Sequence, residues 1–281
     1  MRIIINADDF GMTRSINQAV VELAQIGSLT STTAMVNMPY WKQVEMLLPF
    51  DDFGIGLHFN LTEGKPVCDS SLVPSLVDAD GNFHAFSEFR SRCKKNKINK
   101  DEILTELKAQ FELLYNFIGA RLTHIDSHQG VHKYRPVSDV LIDFGSLYKN
   151  LGLRSPRHYF ITNKNVVVRP TASQFSQFSF KRIFVEYYYN TYQKSLSKKF
   201  RMPAGELLDI SLQKTKTFER LIDIRPTSNI TIEIPCHPAT STNDLPPSKL
   251  TDKRVREYQI LMSSDFIGAL NKYQLINFSN L

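Results

Sequence analysis

The hydrophobic pattern opens on a short β-branched run, Ile3, Ile4 and Ile5, that stops at Asn6, Asp8, Asp9 and Gly11. Such a run predicts a buried, parallel-type strand over residues 2–7 that leads into a polar turn. Thr13 can cap the next helix, because Ile16, Ala19, Val20, Leu23 and Ala24 recur at helical spacing up to Gly27. A strand rich in Thr and Val follows over 30–36, Pro39 opens a further helix, and another strand covers 54–60. Between 64 and 81, Gly64, Pro66, Pro74 and Gly81 mark loops or a small hairpin. The clearest helix spans 101–118: Asp101 and Glu102 suit its positive amino end, and Ile103, Leu104, Leu107, Phe111, Leu114 and Ile118 form one stripe. Then come a strand at 122–126, a helix near Pro136, strands at 151–154 and 231–234, and a helix at 252–272. Strand and helix alternate, as in an α/β fold.

Composition refines this picture at three points. A chain of 281 residues, 42% hydrophobic and 22% charged, is no collagen-like or disordered polymer, and α/β barrels reach this length as one domain. No apolar run approaches the roughly 20 residues of a spanning helix, and the amino terminus lacks a signal-peptide core, so no transmembrane segment is expected. Cys68, Cys93 and Cys236 show no C-x-x-C spacing, which points to reduced thiols in a cytoplasmic protein.

Charge is unevenly spread. The chain carries 34 basic and 28 acidic residues, a net +6. Residues 163–202 hold eight of the basic ones (Lys164, Arg169, Lys181, Arg182, Lys194, Lys198, Lys199, Arg201) against Glu186 alone, together with nine aromatics between Phe175 and Phe200. The rest of the chain is therefore slightly acidic. We expect one domain over 1–281 with an insertion or arm at 163–205, since about 40 residues rarely bury a core alone.

The polar residues at strand ends carry the chemistry, because parallel α/β folds build active sites at the carboxyl ends of their strands. Asp8 and Asp9 follow the first strand; both can face one site only where the chain leaves the pleat. His58 closes the third strand. His124, Asp126 and His128 repeat at period 2, with His132 four residues on. Three His and one Asp within nine residues are hard to explain as packing, and mixed imidazole and carboxylate donors suit zinc or a similar divalent ion. Some of these must orient the ligands rather than bind. Asp and His ligands leave open positions for a bound water, and His237, after the last strand, is a candidate acid for a departing amine.

The blocks Asn-Ala-Asp-Asp-Phe-Gly at 6–11, Thr-Ser-Thr-Thr-Ala at 30–34, Gly-Leu-His-Phe at 56–59, Thr-His-Ile-Asp-Ser-His at 123–128 and Cys-His-Pro at 236–238 together resemble the YdjC family of carbohydrate deacetylases, which includes chitooligosaccharide deacetylases. The resemblance implies a distorted TIM-like (β/α) barrel, one divalent metal ion, magnesium or zinc, and removal of an N-acetyl group from an amino sugar. By motif, Asp9, His58 and His128 would be metal ligands, Asp8 the general base and His237 the general acid. His124, Asp126 and His132 would support the ligands or touch substrate, as would Arg154 or Arg157. Where relatives often run His-His-His after Asp-Ser, this chain has His128, Gln129 and Gly130.

Two other readings compete. One is a different metal-assisted hydrolase on the same barrel, such as a phosphoesterase. The other is a polyanion or membrane-surface binding protein using the basic aromatic arm. No nucleic-acid partner is expected; the arm's aromatics would pack on the barrel or on a second copy in a homodimer.

Overall fold

The computed structural model of the protein describes residues 1–148, 150–161, 167–168, 180–209, 218, 221–222, 230–248 and 250–281. Strand β1 (Arg2–Phe10) lies inside a curled, mostly parallel sheet. On one side of it follow β2 (Ser31–Ala34), β3 (Gly54–Phe59), β4 (Leu122–Ser127) and β5 (Gly152–Leu153); on the other lie β9 (Thr231–Cys236), β8 (Gly205–Asp209), β6 (His158–Ile161) and β7 (Val167–Val168). Only β7 runs antiparallel among these pairings, and β10 (Gln274–Leu275) joins the start of β1. The fold is α/β, a distorted TIM-like half-barrel, as expected.

The helices are α1 (Arg14–Gln25), α2 (Phe86–Lys94), α3 (Lys100–Ile118), α4 (Arg135–Phe144), α5 (Phe180–Leu196), α6 (Thr251–Leu261) and α7 (Ser264–Leu270). Thr13 caps α1 by accepting a hydrogen bond from the Ile16 N–H at 3.3 Å. In α3, Ile103, Leu107, Phe111, Leu114 and Ile118 are buried and Leu104 is partly buried against the same core, so the anticipated stripe, Leu104 at its margin, is the face that packs on the sheet. Both residues of the β-branched run that follow Ile3 are fully buried, as is Ile3 itself.

Several elements differ from expectation. After Pro39 the chain forms a 3-10 turn over Trp41–Leu47, not an α-helix. Its buried residues, Trp41, Val44 and Leu47, are spaced three apart, the period of the tighter helix. The irregular stretch contains a bridge between Val77 and Phe83, and α2 follows it unannounced because it buries only Phe89 and Cys93. The predicted helix at 252–272 is two helices. Ser263 interrupts it and caps α7 through the Phe266 N–H at 3.3 Å.

Part of the basic aromatic segment has a place in the architecture. Helix α5 connects β6 to the parallel strand β8, a crossover that parallel pairing demands. Tyr192 on α5 donates to Asp139 on α4 at 3.1 Å. Residues 163–166 and 169–179 of that segment lie outside the described residues. Among the described residues no helix is long and apolar enough to cross a membrane.

Candidate active site

The site is built where β1 leaves its pleat. The register against β2 shifts between Ala7 and Phe10, and Asp9 has φ +68°, a conformation that costs a non-glycine residue on the order of 1 kcal/mol. That twist turns two consecutive carboxylates to one side. Gly11 then takes φ +97°, and a Cβ there would lie 2.8 Å from the Trp41 Cα, so the sharp exit requires glycine.

Asp9 Oδ1 lies 3.1 Å from His58 Nε2 and 2.9 Å from His128 Nδ1. These three donor atoms, from β1, β3 and the end of β4, fall within 4.8 Å of one another. Burial alone would push His58 down. The Asp126 carboxylate, 2.6 Å from its Nδ1, and Asp9 instead hold its pKa up to about 10. The surroundings therefore favour positive charge at this point, and a divalent cation would supply it in place of protons. The donor set and spacing fit such an ion. Asp9 is itself held well below the usual carboxylate range, burial being outweighed by Arg254, His128 and His58; Arg254 Nη2 donates to Asp9 Oδ2.

Asp8 serves a different network. Arg154 grips it with two hydrogen bonds, 2.8 and 2.6 Å, and Asn6 donates to it at 3.0 Å. Burial pushes the Asp8 carboxyl up, but Arg154, with help from His237 and His58, brings it far below the usual range. His237 Nε2 lies 3.6 Å from Asp8 Oδ2, and the His237 N–H is fixed by Glu257 at 2.6 Å.

Around these groups runs a supporting shell. Asp126 accepts from Thr33 at 2.9 Å and pairs with Arg154 at 2.8 Å, so it orients His58 toward Asp9. His124 does not reach the cavity. It stacks on Phe278 at 3.8 Å and meets Asn6 Oδ1 at 3.1 Å, and burial pushes its pKa well below the ordinary value. Its role is to hold Asn6, which holds Asp8 and Asp126.

A cavity of about 650 Å³ opens over the site, lined by Asp8, Asp9, His58, His128, His237 and Arg154 among others. His132 lines it as well and is fixed through Nδ1 by the Ser127 hydroxyl at 2.6 Å. Of the two arginines the sequence offered, Arg154 lines the cavity and Arg157 does not. The Arg157 N–H bonds Ser155 and its side chain reaches the Asn190 carbonyl. A one-strand advance explains the choice: Arg154 directly follows β5, whereas Arg157 has turned into the β6 pairing.

Sequence reasoning missed several participants. Arg254 sits on α6 with no motif around it. Glu63, 3.1 Å from His128 Nε2, comes from a loop. Glu233 had a legible signal, a lone acid in an otherwise apolar strand; it is fully buried and accepts from Arg154 Nε at 2.7 Å.

Comparison with known proteins gives a consistent set of relatives. A family model described as YdjC-like protein matches residues 2–272. A carbohydrate deacetylase of Thermoanaerobacter pseudethanolicus is 36% identical over 54% of this chain and 59% of its own length. A chitooligosaccharide deacetylase of Yersinia enterocolitica is 29% identical over 93% and 90%, and a carbohydrate deacetylase of Enterococcus faecalis 30% identical over 96% and 94%. With several other relatives the chain spans only about half to two thirds of their length, from 50% to 66%. A crystal structure from Enterococcus faecalis V583, of a "putative cellobiose-phosphate cleavage protein", superposes with a TM-score of 0.76 at 28% identity, covering 99% of this chain and 98% of that one.

Proposed function

Since this chain belongs to the YdjC-like family, we propose that it is a carbohydrate deacetylase, hydrolysing the N-acetyl group of an amino sugar or short oligosaccharide. The observation that carries the reading is the adjacency of two unlike acids. Asp9 faces His58 and His128 in a cation-type donor set, while Asp8, lining the same cavity, is held by Arg154 and lies beside His237. Relatives named carbohydrate deacetylase and chitooligosaccharide deacetylase support the substrate class.

Asp9, His58 and His128 would hold one divalent ion, magnesium or zinc. When bound, that ion would polarise the acetyl carbonyl and acidify a water. Every other step falls to the chain's own residues. Arg154 keeps the Asp8 carboxylate ionised and fixed in place, and that carboxylate takes a proton from the attacking water in this reading. Protonated His237 donates to the amine nitrogen as the C–N bond breaks, giving acetate and the free amino sugar. Asp8 Oδ2 and His237 Nε2 lie 3.6 Å apart, so the proton taken up by Asp8 returns to His237 by way of a bridging water, restoring both groups. Asp126, Thr33 and Asn6 keep the two acids and His58 in register. Cys68, Cys93 and Cys236 are unbridged thiols, which fits a reducing, cytoplasmic setting.

The test is acetate release from N-acetylglucosamine and its oligomers. Asp8→Asn and, separately, His128→Ala are expected to lower kcat at least about a hundredfold with the fold intact by circular dichroism. Release retained in both variants, or phosphate rather than acetate released from a panel of sugar phosphates, overturns the reading.

A further inference from the structure

The same cavity carries a second polar cluster that the hydrolysis leaves unused. Lys133 Nζ donates to Glu206 Oε2 at 2.8 Å. His158 Nε2 lies 3.2 Å from Lys133 Nζ and 3.4 Å from Glu206. The ring of Tyr189, on α5, stands 5.9 Å from the ammonium and edge-on to His158 at 5.7 Å. All four residues line the cavity. His132, the chain neighbour of Lys133, lines it too, and its buried Nε2 has no partner among the described residues.

The arrangement leaves donors and acceptors turned to the cavity. The Lys133 and Glu206 side chains, 15% and 8% exposed, form a part-buried ion pair in the cavity wall, and such a pair gains when its remaining donors and acceptors are met. Lys133 has three donors, and its described partners are Glu206 and His158. Glu206 neutralises the ammonium, so the pair presents a donor beside an acceptor rather than a net charge. That is the complement of neighbouring hydroxyl groups on a neutral ring, and a phenol ring nearby offers an apolar wall for the ring's C–H face. The cluster also connects to the reacting end. Arg154 Nε lies 3.8 Å from Glu206 Oε1 while its other nitrogens hold Asp8.

We propose that Lys133, Glu206, His158 and Tyr189 form the subsite for a second sugar ring joined to the N-acetylated one, so that α5 sets the preference for oligosaccharide over monosaccharide. The inference rests on the deacetylase reading for its substrate class. It gives the aromatic segment a role in specificity that neither packing nor polyanion binding would require.

Two variants test it: Tyr189→Ala, and the double variant Lys133→Met with Glu206→Gln, which removes the buried pair without stranding one charge. Acetate release by the metal-loaded protein is measured on N-acetylglucosamine and on its β-1,4-linked dimer. The ratio of kcat/KM for dimer over monomer is expected to fall about tenfold in each variant, the effect carried by KM. In parallel, saturation-transfer NMR of the dimer with chelated protein is expected to lose the signals of the second ring in the variants while keeping those of the acetyl group. An unchanged ratio together with unchanged second-ring signals overturns the subsite. If wild-type protein releases no acetate, the deacetylase reading fails, and the NMR comparison alone decides whether the cluster binds a sugar ring.

Discussion

Asp126 illustrates how a residue that touches no substrate can govern a site. Its carboxylate fixes the His58 tautomer from one side and shares Arg154 with Asp8 on the other. Replacing it with Asn keeps the shape but removes the charge that holds His58. We expect Asp126→Asn to weaken zinc or manganese binding about 10- to 100-fold, measured by isothermal titration; unchanged affinity would refute the orienting role. Glu233 makes a second prediction of this kind. Burial, with Glu206, Asp126 and Asp8 nearby, pushes its pKa up to about 8 despite Arg154. A raised carboxyl in the folded state stabilises the protein below its ordinary pKa of 4.5 and loses that contribution as pH rises toward about 8. Glu233→Gln should therefore flatten the fall in urea-unfolding free energy between those pH values, and an unaltered slope would contradict it. Strand-end position made Asp8, Asp9, His58, His128 and His237 legible in the sequence. Arg254 and Glu63 were not, because a single Arg in a polar helix and a Glu in a loop carry no pattern until the chain folds.

At the level of elements, the exit from β1 matters most. The strand runs to Phe10, beyond the predicted end at residue 7, and keeps its pairing only by admitting the left-handed Asp9 and Gly11. Gly11→Ala would force a Cβ against the Trp41 backbone at 2.8 Å. Its expected cost is about 1–3 kcal/mol, read from urea denaturation, and a loss within error would show that the exit can relax. The break between α6 and α7 gives a milder case: Ser263→Ala should cost about 1 kcal/mol through the lost cap, and a neutral result would mean that packing alone ends α6. The helix α3 was legible because one clean stripe faces the sheet. The unit β6, β7, α5 and β8 was not, since its strands are short and the consecutive Tyr187, Tyr188 and Tyr189 give the sequence no single helical period to read.

Across the whole molecule, curling of the sheet turns separate strand ends into one site. Arg154, after β5, stands at one end of the strand order, yet it contacts Asp8 on β1, Asp126 on β4 and Glu233 on β9, and approaches Glu206 on β8. Only a curled sheet brings these together, and the guanidinium, with five donors in a fixed fork, serves as the hub. In sequence, the chain's positive charge is concentrated in residues 163–202, which carry +7 against a net +6 for the whole chain. The account is tested most directly by measuring bound divalent metal and acetate release on the same samples of wild type, Asp8→Asn and His128→Ala. It predicts about one ion per chain with acetate release for wild type, a retained ion without release for Asp8→Asn, and neither for His128→Ala. Full metal content and full acetate release in His128→Ala would contradict it.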